Sequence, residues 1–329
     1  MNKTFQPSLQ IKQSAARFIS CLPVAILTFL CAGMTTQAEH RIVTWGDLNY
    51  ELTAEDTNTS PVVQIAAGSF HDLVLTRNWT VDARGDNRFG QSQIPASLNR
   101  AMVRQVAAGN VHSLALLWTG RVIAWGPVNG QYGDYGQCAV PADLKRAVAV
   151  AAGALHSLAL KRDGSVVAWG ENGTGQCDVP PGLRDVVSIA GGTYHSLALK
   201  RDGTVVAWGS NARGQSSVPA GLSRVVAIAA AGNYSLALRR DGTVVAWGAF
   251  GLAQWPAPAE LTGVVAIAVG DYHGLALKRD GTVVTWGFNP AGQCDIPAET
   301  QNVVAVAARG NHSMVVMKEH SAVRSPVRR

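Results

Sequence analysis

No acidic residue precedes Glu39. Lys3, Lys12 and Arg17 stand ahead of an apolar run from Phe18 to Gly33, and Thr36-Gln37-Ala38 follows with small residues. This arrangement predicts a secretory signal peptide over residues 1–38. A permanent span is the poorer reading, since the run is short and Pro23 interrupts it. Net charge is scarce as well. The formal +6 resides in the ends, in three leader cations and in Arg324, Arg328 and Arg329, so residues 39–320 sum to zero. Phosphate binding draws on clustered excess Lys and Arg, so the sequence predicts no nucleic-acid partner. Cysteine is the third shortage. Cys21 and Cys31 fall in the leader, while Cys138, Cys177 and Cys294 each follow Gly-Gln at one repeated position. Equivalent positions on separate units lie beyond the ~7 Å Cα limit for a disulfide. Neither a Walker-type glycine loop nor His-Glu-x-x-His occurs. No convergent catalytic set departs from the repeat, so the reading is not an enzyme, with no cofactor and no metal.

What the chain has in abundance is repetition. A Trp-Gly pair recurs at Trp45, Trp125, Trp169, Trp208, Trp247 and Trp286, with Arg84-Gly85 in the remaining slot, at steps of 39, 41, 44, 39, 39 and 39. The leading position of His-Ser-Leu-Ala-Leu recurs at His71, His112, His156, His195, Tyr234, His273 and His312. Each unit reads as an apolar run, His-Ser-Leu-Ala-Leu, an Asp-Gly turn, Thr-Val-Val-Ala-Trp-Gly, and a Gly-Gln loop leading to a short segment that ends in Pro. Asp-Gly between apolar runs signals a hairpin. We therefore expect four strands per unit and an all-β, seven-bladed β-propeller over residues 39–320, with a basic tail over 321–329. The chain opens on half a repeat at Arg41 and closes on the complementary half before Lys318. Pairing those N- and C-terminal half-repeats would close the ring and leave no bare sheet edge.

Gly-x-x-His-Ser-Leu-Ala-Leu and Trp-Gly-x-Asn-x-x-Gly-Gln resemble the regulator of chromosome condensation repeat. The 39-residue spacing with Gly-Gln-x-x-Val-Pro looks most like the secreted bacterial propellers of that superfamily, one group of which inhibits β-lactamases. The resemblance implies a propeller that binds a protein target through one face.

Positions fixed across blades serve the fold. The histidines read as structural hydrogen-bonding groups, with Tyr234 keeping a polar contact, and the tryptophans read as core. Arg84 is the odd occupant of a Trp slot, and Trp79 is the expected compensation. Divergence collects on the face shared by the Gly-x-x-His turn and the Trp-Gly-x-Asn loop. Phe70, Tyr194 and Tyr272 precede histidines there, and the long loops add Tyr50, Phe89, Phe250 and Phe288. Pro127–Cys138 is five residues longer than Glu171–Cys177 and carries Tyr132, Asp134 and Tyr135. Aromatics among polar residues have the composition of interface hot spots. The Lys-Arg-Asp-Gly face reads as monotonous, solvated turns, with an anionic surface or lipid partner as the alternative. The sequence thus predicts a secreted or periplasmic monomer with an extracytoplasmic protein partner and no membrane span after cleavage. The alternative is a lyase or glycoside-acting enzyme with Asp134, Asp271 and Glu171 at the ring mouth.

Overall fold

The computed structural model describes residues 40–47, 61–128, 130, 133–249 and 256–318. The leader, the basic tail, Tyr50, Tyr132 and Phe250 lie outside these residues. The described chain forms seven antiparallel three-stranded sheets, one per repeat. In blade 4 the inner strand is Val186–Gly191, the middle strand His195–Lys200 and the outer strand Val205–Gly209. The middle strand buries nearly everything: Leu197 and Leu199 are closed off from solvent and pack with Val225, Ile228 and Trp247 of blade 5. Each interface between blades is therefore a small core in which Leu, Val, Ile and Trp interdigitate.

Blade 7 is assembled from both ends of the chain. Its inner and middle strands are Val303–Arg309 and His312–Lys318, and its outer strand is His40–Gly46, in register as Trp45↔Ser313 and Gly46↔His312. Ring closure follows the pairing that the half-repeats predict.

The expected fourth strand is absent from the described blades. In the stretch after Trp169 the Gly175 N–H donates to the Asn172 carbonyl at 3.1 Å and Asp178 N–H to the Gly175 carbonyl at 3.0 Å. Cys177 N–H goes to the Asn172 Oδ1 at 2.8 Å. These donors are spent on successive turns and Pro180 has none, so no ladder can form.

The loop that replaces the strand locks neighbouring blades together. His156 Nε2 of blade 3 meets Ser196 Oγ of blade 4 at 3.0 Å. That hydroxyl donates to the Gln176 carbonyl at 2.9 Å, and Trp208 Nε1 donates to the same oxygen at 2.9 Å. Since the serine proton is committed to the carbonyl, the imidazole must donate, which fixes the Nε2–H tautomer. The latch recurs at His112–Ser157, His195–Ser235 and His273–Ser313. Burial pulls the pKa of His71 down to about 4 and that of His156, His195 and His273 to about 3. Gly153 sits against the His156 ring, where a Cβ would overlap the imidazole; the Gly-x-x-His motif records that contact.

Two junctions depart from this pattern. Tyr234 takes a histidine position in blade 5 and faces blade 6, whose serine position is Gly274. The Tyr234 hydroxyl and the Trp286 indole nitrogen are both buried without a hydrogen-bond partner. The Tyr234 hydroxyl instead lies beside the Trp286 indole, whose polar interaction opposes the upward pKa shift that burial imposes on it. The polar contact expected of Tyr234 thus turns to a tryptophan rather than a serine. At the seam between blades 7 and 1, Asp72 replaces serine and Arg84, its register partner, replaces tryptophan. His312 Nε2 lies 3.0 Å from Asp72 Oδ1, with both side chains fully buried. Trp79 does not compensate for Arg84, because it sits in the turn at the far end of that hairpin.

Candidate functional site

Hairpin geometry distinguishes the loop face of blades 5 and 7. There the inner strands run one residue longer and pair as Ala231↔Tyr234 and Arg309↔His312, leaving two-residue Gly-Asn turns with Gly232 and Gly310 at φ +52° and +53°. Glycine at the first turn position is what such a tight hairpin requires. The Gly-Asn pairs were a readable signal, though the repeat alignment hides them as one-residue shifts. In blade 7 the shift puts Arg309 where other blades have Gly or Ala. Its guanidinium reaches across the central channel, donating from Nη1 to the Ala152 carbonyl of blade 3 at 3.1 Å and the Gly191 carbonyl of blade 4 at 3.2 Å. Arg309 is buried, and its Nε and Nη2 have no partner. Burial lowers its pKa, against an upward pull from Asp271.

Beside this bridge a cavity of about 200 Å³ opens on the loop face, over blades 6, 7, 1 and 2. Asp47 and Asp271 supply carboxylates, Asn110 and Asn311 carboxamides, and Phe70 and Tyr272 aromatic walls. Ser69 Oγ donates to the Asn110 Oδ1 at 2.6 Å, and the Asp271 Oδ1 accepts from Gly232 N–H at 3.0 Å. The Asn311 side-chain oxygen is buried without a partner. Burial raises the Tyr272 pKa, and Asp271 adds to the shift. Such a pocket suits a cationic group, held by carboxylates against aromatic faces.

The predicted residues distribute unevenly around it. Phe70 and Tyr272 line the cavity, and Tyr272 meets Phe288 edge-on with centroids 6.2 Å apart. Tyr135, at 53% exposure, and Tyr194, at 43%, stand on the same face but outside the cavity. Phe89 is half-buried, its N–H bonded to the Gln91 Oε1. Asp134 serves its own loop: its carboxylate accepts from Gly130 and Gly136 N–H at 2.9 Å each, and those bonds hold its pKa down. Asn311 precedes its histidine on the divergent face, as Phe70 and Tyr272 do, whereas Asp47, Ser69 and Asn110 occupy slots that read as loop. Of the three acids considered for a catalytic mouth, only Asp271 lines the cavity; Glu171 Oε1 instead accepts from Gly173 N–H. Among the described residues no group of three or more His, Cys, Asp or Glu could hold a metal ion. Cys138, Cys177 and Cys294 are free thiols, with pKa values pushed by burial to about 12, 12 and 11, which disfavours the thiolate.

Comparison with known proteins agrees with this architecture. The family model for the regulator of chromosome condensation (RCC1) repeat matches residues 62–91, 103–137, 147–176, 186–215 and 264–293. A 93-residue stretch is 34% identical to the mitochondrial RCC1 domain-containing protein RUG3 of Arabidopsis thaliana, covering 25% of this chain and 20% of that protein. Another, of 106 residues, is 36% identical to the probable E3 ubiquitin-protein ligase HERC6 of Homo sapiens, covering 28% of this chain and 10% of that protein. The match thus spans a fifth or less of these relatives. Prp20p of Saccharomyces cerevisiae superposes with a TM-score of 0.71 at 21% identity, over 87% of this chain and 93% of that one. At that identity the likeness establishes the fold.

Proposed function

The chain is a propeller of regulator of chromosome condensation repeats, and on that premise we propose that it is an exported, non-catalytic module whose loop face binds another protein. One observation carries the reading: Phe70, Val128, Tyr135, Tyr194 and Phe288, five of the seven exposed large apolar side chains among the described residues, share that face, around a cavity walled by Phe70 and Tyr272. Exposed aromatics beside a concave polar pocket are the ingredients of an interface hot spot. The acids facing the cavity call for a partner that inserts a Lys or Arg. The Prp20p structure is described together with binding to Gsp1p and histones; a propeller of this repeat is a docking platform there, and the same use is proposed here.

The test is recovery of partners from the extracytoplasmic fraction by wild-type protein and by Phe70→Ala and Tyr272→Ala. Each truncation should weaken the captured complex by on the order of 2 kcal/mol, about thirtyfold in Kd. Capture of the same protein by both variants at wild-type affinity would exclude this face. A β-lactamase inhibition assay checks the inhibitor-like version directly. Turnover of a glycan without any protein partner would favour the enzyme reading.

A further inference from the structure

The turn face opposite the cavity is not uniform. In blades 3 to 6 it repeats Lys161-Arg162, Lys200-Arg201, Arg239-Arg240 and Lys278-Arg279, each followed by Asp-Gly. In blades 1 and 2 three of the repeat's slots change together. Trp79 occupies the turn glycine slot, at φ +64°, where Gly120, Gly164, Gly203, Gly242 and Gly281 have φ between +81° and +84°. Trp118 occupies the slot of Arg162, and Met102 that of Arg146, as the equivalent bonds Trp118 N–H to Met102 carbonyl and Arg162 N–H to Arg146 carbonyl show. The two tryptophans converge, and the Met102 backbone is bonded to one of them. Trp79 and Trp118 meet edge-on at 5.3 Å, and the Arg104 guanidinium lies 5.4 Å over the Trp118 ring.

Each change runs against stability or solubility. A bulky residue in the left-handed region costs about 1 kcal/mol or more relative to glycine. Met102 is 57% exposed in a slot that is arginine in blades 3 and 5, and Trp118 is 49% exposed in a slot that is arginine in blades 1 and 3 to 6. Strain and exposed apolar surface, contributed jointly by two blades, mark a binding patch.

We infer that this patch docks the ring on an anionic lipid surface. Three features favour a membrane. The face is level, because blades 1 to 6 each join their middle and outer strands by a short hairpin of the same form; a planar partner fits it better than it fits the uneven loop face. It is also basic: Lys145, Arg146, Arg184 and Arg224 in the connecting segments and Arg77, Arg100 and Arg121 join the Lys-Arg pairs, and together they outnumber the Asp of each turn and Asp143, Asp185, Glu260 and Glu299 of the connections. The acids Asp47, Asp86, Glu171, Asp178, Asp271 and Asp295 lie on the other face. Zero net charge in the body therefore conceals two oppositely charged faces. Finally, His40 pairs with Lys318 at this end of blade 7, so both segments outside the structure join the ring here. The C-terminal one carries Arg324, Arg328 and Arg329. Tryptophan and methionine inserted at headgroup depth, rimmed by Lys and Arg, give peripheral binding that depends on anionic lipid and on salt.

The test uses protein starting at Glu39, whose sheets close without the leader, and vesicles of phosphatidylcholine with or without phosphatidylglycerol. Binding is followed by cosedimentation and by the blue shift of tryptophan emission. The expected result is binding to the anionic vesicles only, reversed by salt. Met102→Gln and Trp118→Gln keep the charge and should each weaken binding by about tenfold. Trp79→Gly restores the repeat's own residue, so the fold is safe, and should weaken binding similarly. Tyr135→Ala and Tyr194→Ala should leave vesicle binding unchanged, which separates this inference from the loop-face proposal. Indifference of the anionic vesicles to the protein would overturn it, as would unaltered binding by the three patch variants. So would a dimer that these variants dissociate, since the patch would then be a contact between two copies.

Discussion

The junction between blades 3 and 4 and the junction between blades 7 and 1 occupy equivalent places in the ring, yet they are held together differently. At the first, a neutral histidine donates to a serine that in turn donates to a loop carbonyl. At the second, His312 faces the carboxylate of Asp72, at 3.0 Å and out of reach of solvent. Burial alone would lower the His312 pKa, but the charge of Asp72 and its hydrogen bond outweigh it, and the net shift is upward. The one geometric slot thus holds an imidazole of opposite pH preference in the two places. What decides it is a single residue across the interface, a hydroxyl in one case and a carboxylate in the other.

The largest expected effect is on acid stability, and it isolates the regular junctions. His71, His112, His156, His195 and His273 have folded pKa values below 6.5, so between pH 6.5 and about 3 to 4 the unfolded chain binds more protons than the ring. Stability should fall as pH drops through that window, by up to about 1.4 kcal/mol per pH unit for each histidine. Urea unfolding at stepped pH values measures the slope; a flat profile between pH 7 and 5 would mean the latches are not neutral.

Breaking one regular latch comes next. His156→Ala removes a fully buried ring and should cost about 2–4 kcal/mol through the cavity left behind, read as a lower urea midpoint at pH 7.5. The seam gives a smaller effect with a change of sign. Asp72→Ser restores the repeat's serine and removes a buried carboxylate whose Oδ2 has no partner. The raised folded pKa of His312 contributes stability that is complete below pH 6.5 and lost as pH rises through that pKa. The variant should therefore match or exceed wild type at pH 8 and fall below it at pH 5.5, by about 1–2 kcal/mol. Parallel curves for the two proteins would show that His312 is neutral in the ring. Smallest of all, Lys200→Ala removes an exposed 3.3 Å pair with Asp202, and the thermal midpoint should stay within about a degree.

The sequence alone determined the number of blades, their strand order within each sheet and the closure of the ring. Those features rest on periodicity: alternating apolar runs and Asp-Gly turns are visible within some forty residues of chain, and the complementary half-repeats at its two ends complete the count. It also identified the latch histidines as structural and Phe70 and Tyr272 as residues of the variable face. Its account of the outer segment erred because a Val-Pro ending resembles a strand, while the asparagine and glycine before it consume the backbone donors in turns. Three further features were decided only by the folded ring. Arg309 reaches carbonyls 157 and 118 residues away. His312 meets Asp72 across 240 residues of sequence. Trp79, Met102 and Trp118 gather at one interface between blades although each looks like an isolated exception to its own repeat. A periodic sequence specifies how each blade folds, because those contacts are short-range in the chain. Which exceptions become neighbours is set by closure, which brings blade 7 against blade 1 and sends alternate turns to opposite faces.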